Sequence, residues 1–487
     1  MRQILLLLAI AAFGAACFAQ ENPTVRRLDG SSISASEIDA TVTRHSKAAE
    51  VTGMGIAILN DGKIAYLKAY GFRDKEKNLP LSPDSVMSAA SFSKVAFGYL
   101  VMELVDEGVL DLDKPVYQYL PKPLPEYSNY ADLADDVRYK RITARMLLSH
   151  TTGFPNWRWF EDNHKLKIHF EPGSRYAYSG EGIDLLQLVV ETLTKKPLEE
   201  LMQTHVFQPF GMTRTSMVWQ DRFEDDYANG YDEYGRLLGP QKRTSADAAG
   251  SMKTTIGDFA RFMLAVMQGK KLKKETLAKM LGPQIQILSK YQFPTLLPTT
   301  TEENKPIRLS YGLGWGLYWT PYGEAFFKEG HDEGWRNYTV CFEKHKTGIV
   351  IMTNSSNGEG IYKDLLETLL KDTFTPIEWE GFTPYEQLPP RPPLKEHKVV
   401  KLPPAILDMY VGRYGEPNLV LTVRREGDHL SVQENDQPRQ EIFPESQSDF
   451  FSKVSDDLVT FQFDSQTHAI TMILHVNGKD MPIKRLE

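Results

Sequence analysis

A short stretch near residue 90 decides the fold, and it reads Ser88-Ala89-Ala90-Ser91-Phe92-Ser93-Lys94. A strongly apolar run over residues 95–105 follows it directly and ends at Glu107-Gly108. Small and hydroxyl residues before an apolar run, with a glycine after it, predict a buried helix with a glycine at its C-terminal end. Ser91 and Lys94 are three positions apart, so on a helix their side chains share one face and can meet.

This pairing of serine and lysine has a definite chemical use. A serine hydroxyl is a poor nucleophile until a neighbouring group takes its proton, and a lysine partly stripped of water has a lowered pKa that suits it to that task. The positive field at a helix N-terminus also favours a developing anion. The four-residue pattern is short, however, and the rest of the chain has to supply its context.

Working outward, the chain alternates strand and helix patterns on both sides of this helix. Residues 52–70 predict two strands joined by a tight turn at Asn60-Asp61-Gly62. Helical patterns follow at residues 183–194 and 255–267, and residues 338–342 and 349–353 predict a second hairpin. Ile361, Leu365, Leu366, Leu369 and Leu370 then mark one face of a closing amphipathic helix.

A composition break separates the last part of the chain. Residues 384–404 contain seven prolines, which can neither continue a helix nor donate in a strand ladder, so this segment is predicted to be a linker. Beyond it, residues 418–432 and 460–476 alternate apolar and polar side chains, with a turn at residues 426–428. Residues 405–487 are therefore expected to form a small antiparallel β domain.

The N-terminus predicts export. Residues 4–12 are almost entirely apolar and the small-residue stretch that follows ends at Ala19, which is typical of a secretory signal peptide over residues 1–19. Lipoprotein anchoring through Cys17 is the alternative. After cleavage only Cys341 remains, so no disulfide can form within the chain. No later stretch is long and apolar enough to span a bilayer, and we expect a periplasmic or extracellular protein.

Composition and charge exclude several other classes. The chain has 487 residues, of which 41% are hydrophobic, and this excludes a disordered or fibrous protein. Its net charge of −8 argues against a nucleic-acid partner, because neutralising phosphates needs a basic face. His164 and His169 are five apart, which fits no usual zinc motif, so no metal and no cofactor are expected. The oligomeric state is not encoded in any readable pattern.

Two further motifs follow the Ser91 segment in order, Tyr178-Ser179-Gly180 and Lys328-Glu329-Gly330. With the flanking residues 142–153, 170–179 and 311–315, they resemble the class C β-lactamase-like and penicillin-binding-protein-like serine hydrolases, in which S-x-x-K, Y-x-N and K-x-G elements build one site. The resemblance covers residues 30–375, and the C-terminal domain is similar to the β-rich appendage of many secreted members.

The resemblance implies a role for each matching residue. Ser91 would be acylated, and Lys94 would either accept its proton or keep a proton relay charged. Tyr178 would share the base role and protonate the leaving group. Lys328 would hold the ionised tyrosine and meet a substrate carboxylate. The backbone N–H groups of Ser91 and His331 would form the oxyanion hole. Four further residues are candidates for substrate binding: Ser179, Gly330, Trp335 and Arg336.

One match is a decoy and two positions depart from the family pattern. Lys346-Thr347-Gly348 matches a literal K-T-G, but it lies between two strands where a turn is required. Gly180 stands where the family has asparagine, and Glu329 stands where a hydroxyl residue is common. Both departures predict poor β-lactam turnover. His150 is predicted to be a structural hydrogen-bonding residue, with a catalytic base as the alternative.

The fold implied is α+β, with an antiparallel sheet packed against a mainly helical lobe and a small all-β C-terminal domain. The expected function is a secreted serine hydrolase that forms an acyl-enzyme on Ser91 and hydrolyses an ester or amide, with a small molecule or peptide as substrate. The alternatives are a D-amino-acid peptidase or D-Ala-D-Ala carboxypeptidase, a true β-lactamase, and a non-catalytic ligand-binding protein on the same scaffold.

Overall fold

A computed structural model describes residues 24–161, 164–393, 395–416, 419–434, 439–454, 457–464, 466, 469–476 and 479–486. The predicted signal peptide over residues 1–19 lies outside these ranges. Among the described residues, no helix has the length and apolar character needed to cross a bilayer.

The first fifteen strands and ten helices lie before the C-terminal barrel. The strands are β1 (Thr24–Arg26), β2 (Ser32–Ser34), β3 (Gly53–Asn60), β4 (Lys63–Asp74), β5 (Leu79–Pro80), β6 (Met87–Ser88), β7 (Gly230–Tyr231), β8 (Leu237–Gly239), β9 (Lys253–Thr254), β10 (Ile285–Gln286), β11 (Ser310–Tyr311), β12 (Gly316–Thr320), β13 (Gly323–Asp332), β14 (Trp335–Phe342) and β15 (Thr347–Thr353). The helices are α1 (Ala35–Ala48), α2 (Phe92–Asp106), α3 (Ala144–Leu148), α4 (Gly180–Thr194), α5 (Leu198–Met202), α6 (Ile256–Gln268), α7 (Lys274–Met280), α8 (Tyr362–Leu365), α9 (Ile377–Glu380) and α10 (Pro404–Tyr410).

The central element is a nine-stranded antiparallel sheet in the order β10-β11-β12-β13-β14-β15-β3-β4-β5. Strands from the two ends of the region meet where β15 pairs with β3. The predicted hairpin over residues 52–70 is confirmed as β3 and β4, and Asp61 and Gly62 between them have φ angles of 49° and 74°, as a primed turn requires. The second predicted hairpin is confirmed as β14 and β15.

The two faces of this sheet bury different layers. Side chains such as Ala57, Phe326 and Val350 pack with α2, α4 and α6 in one core, whereas Ile56, Phe327 and Ile351 pack with α1 and α8 in the other. Successive strand residues point to opposite faces, so each strand serves both cores. The fold is therefore the predicted α+β arrangement of a sheet and a helical lobe.

The helix that begins after Ser91 is the centre of the helical lobe. Every residue of α2 from Phe92 to Leu104 is buried, which explains why its apolar residues show no preferred face. It ends where Glu107 precedes Gly108, whose φ of 74° suits glycine. A buried helix of this kind holds its first turn rigidly, and that turn carries the candidate nucleophile.

The C-terminal strands close into an eight-stranded barrel in sequence order. Its interior is filled by apolar side chains, among them Tyr414, Leu430, Phe450 and Met472, with Leu407 from α10. The sequence pattern predicts the strands, while helix α10 and the closure of the barrel are additional findings. The strands are β16 (Gly412–Glu416), β17 (Leu419–Glu426), β18 (His429–Glu434), β19 (Gln440–Pro444), β20 (Asp449–Ser452), β21 (Leu458–Phe463), β22 (Ile470–Val476) and β23 (Lys479–Leu486).

Candidate active site

Ser91 is placed by a tight and strained turn before α2. Ala90 has a φ of 48°, in the left-handed region that costs an alanine about 1 kcal/mol. The hydroxyl of Ser93 donates to the Ala90 carbonyl at 2.7 Å and holds this turn in place. Ser91 is the N-cap residue of α2, but its own side chain makes no capping hydrogen bond. Its hydroxyl is therefore not used to stabilise the helix.

Lys94 lies one turn after Ser91 and reaches back to it. Its Nζ donates to Ser91 Oγ at 3.1 Å and to the Ala249 carbonyl at 2.6 Å. The side chain is 1% exposed. The same nitrogen lies 5.1 Å from the centre of the Tyr178 ring and 5.6 Å from that of Trp157. The spacing of three residues thus produces the predicted contact between the two side chains.

Tyr178 lies between two lysines. Lys328 Nζ is 4.7 Å from the centre of its ring, and Lys94 Nζ is 5.1 Å from it. The Tyr178 hydroxyl is buried and no described residue meets it at full hydrogen-bonding distance and angle, although Lys328 is near enough to interact with it. A buried hydroxyl without a well-formed hydrogen bond is expensive, and active sites are a common place for one. The three motifs of the sequence therefore meet around a single tyrosine.

His150 packs against the ring of Tyr178. Its ring centre is 4.5 Å from that of Tyr178, and its Nδ1 accepts the backbone N–H of Ser179 at 3.2 Å. Burial, with Lys94 and Lys328 nearby, lowers the pKa of His150 well below its ordinary value. A neutral, buried histidine that accepts a backbone hydrogen bond fits the predicted structural role.

The edge of β13 forms the other wall of the site. Strand β12 pairs with β13 only as far as Phe327, so from Lys328 onward β13 is paired by β14 alone. Along β13 and β14, residue pairs that exchange backbone hydrogen bonds alternate with pairs that do not. The alternation starts from the hydrogen-bonded pair of Asp332 and Trp335, which closes the hairpin. His331 falls on a non-bonded pair, so its N–H points to the open edge. Gly330 is needed there because a Cβ would lie 2.7 Å from the Ala89 carbonyl oxygen.

Lys328 is already paired with its neighbour in the chain. Its Nζ lies 2.5 Å from Glu329 Oε1 and donates to the Glu329 carbonyl at 2.9 Å. Both side chains are buried. Burial alone would lower the pKa of Lys328, but the Glu329 carboxylate and the Tyr178 side chain together outweigh it, and the pKa lies above its ordinary value. Lys328 is therefore held as a charged partner of Glu329.

The position of the family asparagine is closed by an aromatic ring. A Cβ on Gly180 would lie 2.3 Å from the Trp157 ring, closer than real atoms approach. Trp157 in turn stacks on Trp159, with ring centres 4.7 Å apart and planes 10° apart. The absent side chain at Gly180 is thus replaced in space by an indole from 23 positions earlier in the chain.

We expect Gly180→Ala to lower the free energy of unfolding by about 1–3 kcal/mol, because a methyl group there must displace the Trp157 ring. Gly182→Ala is the matched control in the same helix, since its Cβ would make contacts of 3.4 Å and longer and alanine favours a helix. Thermal or denaturant unfolding measures both. Trp157→Ala should remove most of the penalty, and an equal penalty in both backgrounds would contradict the contact.

Three of the four residues predicted to bind substrate have side chains with other partners in the structure. Ser179 Oγ accepts the Gly182 N–H at 3.0 Å and caps α4. Trp335 is 1% exposed and packs in the core. Arg336 Nε lies 2.9 Å from Glu359 Oε2, in an ion pair behind β13. Gly330 alone stays beside the Ser91 segment.

Lys346-Thr347-Gly348 lies in the hairpin between β14 and β15, as predicted, with Lys346 at a φ of 49°.

Two residues of the loop over 284–305 reach the site, and the sequence gives no recognisable signal for either. Gln292 Nε2 donates to Glu329 Oε1 at 3.0 Å, and the ring of Phe293 lies 5.7 Å from that of Tyr178. The loop therefore contributes directly to the site.

Within the described ranges, two groups of carboxylate and histidine side chains could hold a metal ion, and neither includes the serine, lysine or tyrosine above. In one of them Glu103 already pairs with Lys271 Nζ at 2.5 Å. The two groups are His45 with Asp364 and Glu386, and Glu103 with Glu107 and His205.

The site combines a serine at the start of a buried helix, a lysine one turn later and a tyrosine beside the edge of the sheet. This arrangement defines the class of fold, which is that of the penicillin-binding-protein-like serine hydrolases. The sequence profile described as Beta-lactamase matches residues 38–370, and the chain belongs to this family. A second profile, described as a domain of unknown function (DUF3471), matches residues 396–485.

Individual relatives agree with this assignment. The chain is 24% identical over 460 residues to Penicillin-binding protein 4* of Bacillus subtilis strain 168, covering 86% of this chain and 92% of that one. The octameric penicillin-binding protein homologue from Pyrococcus abyssi superposes with a TM-score of 0.58 at 20% identity, over 93% of this chain and all of the other. D-alanine carboxypeptidase AmpC from Burkholderia cenocepacia gives 0.52 at 22% identity, over 66% and 95%.

Proposed function

We propose that the protein is a serine hydrolase that forms an acyl-enzyme on Ser91 and hydrolyses an ester or amide. The observation that carries the proposal is the 3.1 Å contact between Lys94 Nζ and Ser91 Oγ beside the buried Tyr178 hydroxyl. A nucleophile in contact with its proton acceptor is the arrangement that activated serines share.

In the proposed reaction, Ser91 Oγ forms a bond to the substrate carbonyl carbon while its proton passes to the Lys94 amine. The backbone N–H groups of Ser91 and His331 stabilise the oxyanion. When the tetrahedral intermediate collapses, the bond to the leaving oxygen or nitrogen breaks, and Tyr178 protonates that atom. Water then attacks the acyl carbonyl carbon and gives one proton to the Tyr178 oxygen. The bond to Ser91 Oγ breaks, the proton held by Lys94 returns to that oxygen, and the carboxylic acid leaves with all three side chains in their starting states. No cofactor is needed for this sequence.

Two features favour simple esters or amides over β-lactams. The amide that the family asparagine offers to a penicillin side chain is missing at Gly180, and Trp157 fills its place. Lys328 is bound to Glu329, which stands where a hydroxyl residue is common in the family. Neither feature affects Ser91, Lys94 or Tyr178.

We further propose that residues 1–19 direct export and that residues 384–404 link the catalytic domain, over residues 30–375, to the domain at 405–487.

A comparison of substrates tests this proposal. We expect the purified protein to hydrolyse 4-nitrophenyl acetate and butyrate in a reaction that a fluorophosphonate stops, with nitrocefin turned over at least about a hundredfold more slowly, since a lost polar contact in the transition state has that size of effect. Rapid hydrolysis of nitrocefin would contradict the preference. Absence of both labelling and hydrolysis would support the non-catalytic binding alternative instead.

A further inference from the structure

The ammonium of Lys328 has no hydrogen-bond donor left for a substrate carboxylate. An ammonium has three N–H groups. Two of them are directed to Glu329, to its side-chain Oε1 at 2.5 Å and its carbonyl oxygen at 2.9 Å. The third N–H is taken up by Tyr178, whose ring centre is 4.7 Å from Nζ and whose side chain interacts with the ammonium. Lys328 is 0% exposed, so no further face is open to a ligand.

The Glu329 carboxylate is fixed in this position from a second direction. Gln292 Nε2 donates to the same Oε1 at 3.0 Å, and Gln292 is itself 2% exposed. The backbone N–H of Gln292 donates to the Trp379 carbonyl at 2.8 Å and holds the loop against the body of the domain. The carboxylate is therefore part of a buried network and is not a mobile surface group.

We infer that Glu329 makes this a site for esters or amides that carry no carboxylate beside the scissile bond. Lys328 and Glu329 together have no net charge, so a substrate carboxylate approaching Lys328 would gain no ion pair and would meet the negative Glu329 side chain. Like charges brought together in a water-poor site are strongly unfavourable. This inference rests on the proposed function, because it concerns the substrate of the same serine.

The surroundings of the site suit an uncharged, apolar group. Phe293 contacts the edge of the Tyr178 ring and is 42% exposed. Trp157 lies beside Lys94 and stacks on the exposed Trp159. These aromatic side chains offer apolar contact area to an uncharged group. The substrate class we assign is thus a neutral ester or amide with an apolar group next to the cleaved bond.

Two matched esters test the assignment, 3-acetoxybenzamide and 3-acetoxybenzoate, which differ only in the charge of the leaving group. We expect the wild-type protein to prefer the amide-bearing ester by about tenfold or more in kcat/KM, after each value is divided by the uncatalysed rate. In Glu329→Gln and Glu329→Thr the Lys328 charge becomes available, and the preference should fall by about tenfold or reverse. Glu324→Gln, an exposed change on the same strand, should leave the ratio as in wild type.

A binding measurement keeps the test valid if turnover of these esters is slow. The affinities of 3-carbamoylphenylboronic and 3-carboxyphenylboronic acid, measured by competition with fluorophosphonate labelling, should show the same preference and the same change in the Glu329 variants. An unchanged ratio in both variants, or a wild-type preference for the carboxylate, would overturn the inference about Glu329. Hydrolysis that persists in Ser91→Ala would instead overturn the proposed function.

Discussion

Replacing Ser91 with alanine is expected to abolish fluorophosphonate labelling and to lower ester hydrolysis by about 10⁴-fold or more. The reason is that Ser91 carries the hydroxyl that Lys94 contacts among the residues the structure describes, and removal of a catalytic nucleophile leaves only the stabilisation by the oxyanion hole and by binding. The variant should fold as the wild type does, because the Ser91 side chain makes no capping hydrogen bond. Hydrolysis rates and thermal unfolding measure the two effects.

The result would contradict the account if Ser91→Ala kept more than about a tenth of the wild-type rate while labelling persisted, because the nucleophile would then lie elsewhere. A loss of activity accompanied by a large fall in the unfolding temperature would contradict the claim that the Ser91 hydroxyl has no structural role. Both measurements are therefore needed on the same preparation.

Replacing Lys94 with methionine is expected to lower hydrolysis by about 10³-fold, within the range that general bases contribute. Methionine keeps the length of the side chain in the buried site and removes the amine that contacts Ser91 Oγ and the Ala249 carbonyl. The loss should appear mainly in kcat, because the amine acts on the serine proton and not on substrate binding. Steady-state kinetics with 4-nitrophenyl acetate would measure it.

Lys253→Met is the matched control for this variant. Lys253 is also a buried lysine, but its Nζ contacts Ser88 Oγ at 3.1 Å and not Ser91. Burial lowers the pKa of Lys253 to about 7, so the side chain is largely neutral at slightly alkaline pH, and its replacement by an apolar group costs little. We expect less than about a threefold change in turnover. Equal losses in the two variants would show a general sensitivity to buried lysines and contradict the specific role of Lys94.

The sequence predicts the parts of the fold that depend on local patterns. The apolar run after Lys94 predicts α2 because a helix buried on all sides needs no polar face. Asn60-Asp61-Gly62 predicts the β3–β4 turn, and the position of Lys346 between two strands rules out the second lysine motif. In each case a short segment carries its own conformational preference.

Other features depend on contacts that no spacing reveals. Lys328 and Glu329 are neighbours on a strand, where successive side chains point to opposite faces, so the strand pattern alone does not predict their ion pair. Gly180 and Trp157 meet through the packing of a loop against α4. Trp335 follows a turn, where an exposed side chain is the usual expectation, yet it is buried in the core. The side chains that surround the site are therefore set by tertiary contacts and not by local sequence patterns.

The most direct test of the central claim is to locate the covalent adduct. The protein is incubated with a fluorophosphonate, its intact mass is measured, and the modified peptide is sequenced by mass spectrometry. The account predicts one adduct per chain, on Ser91, and none in Ser91→Ala. An adduct on another residue, or an unmodified chain under conditions that inactivate a serine hydrolase of known activity, would contradict it.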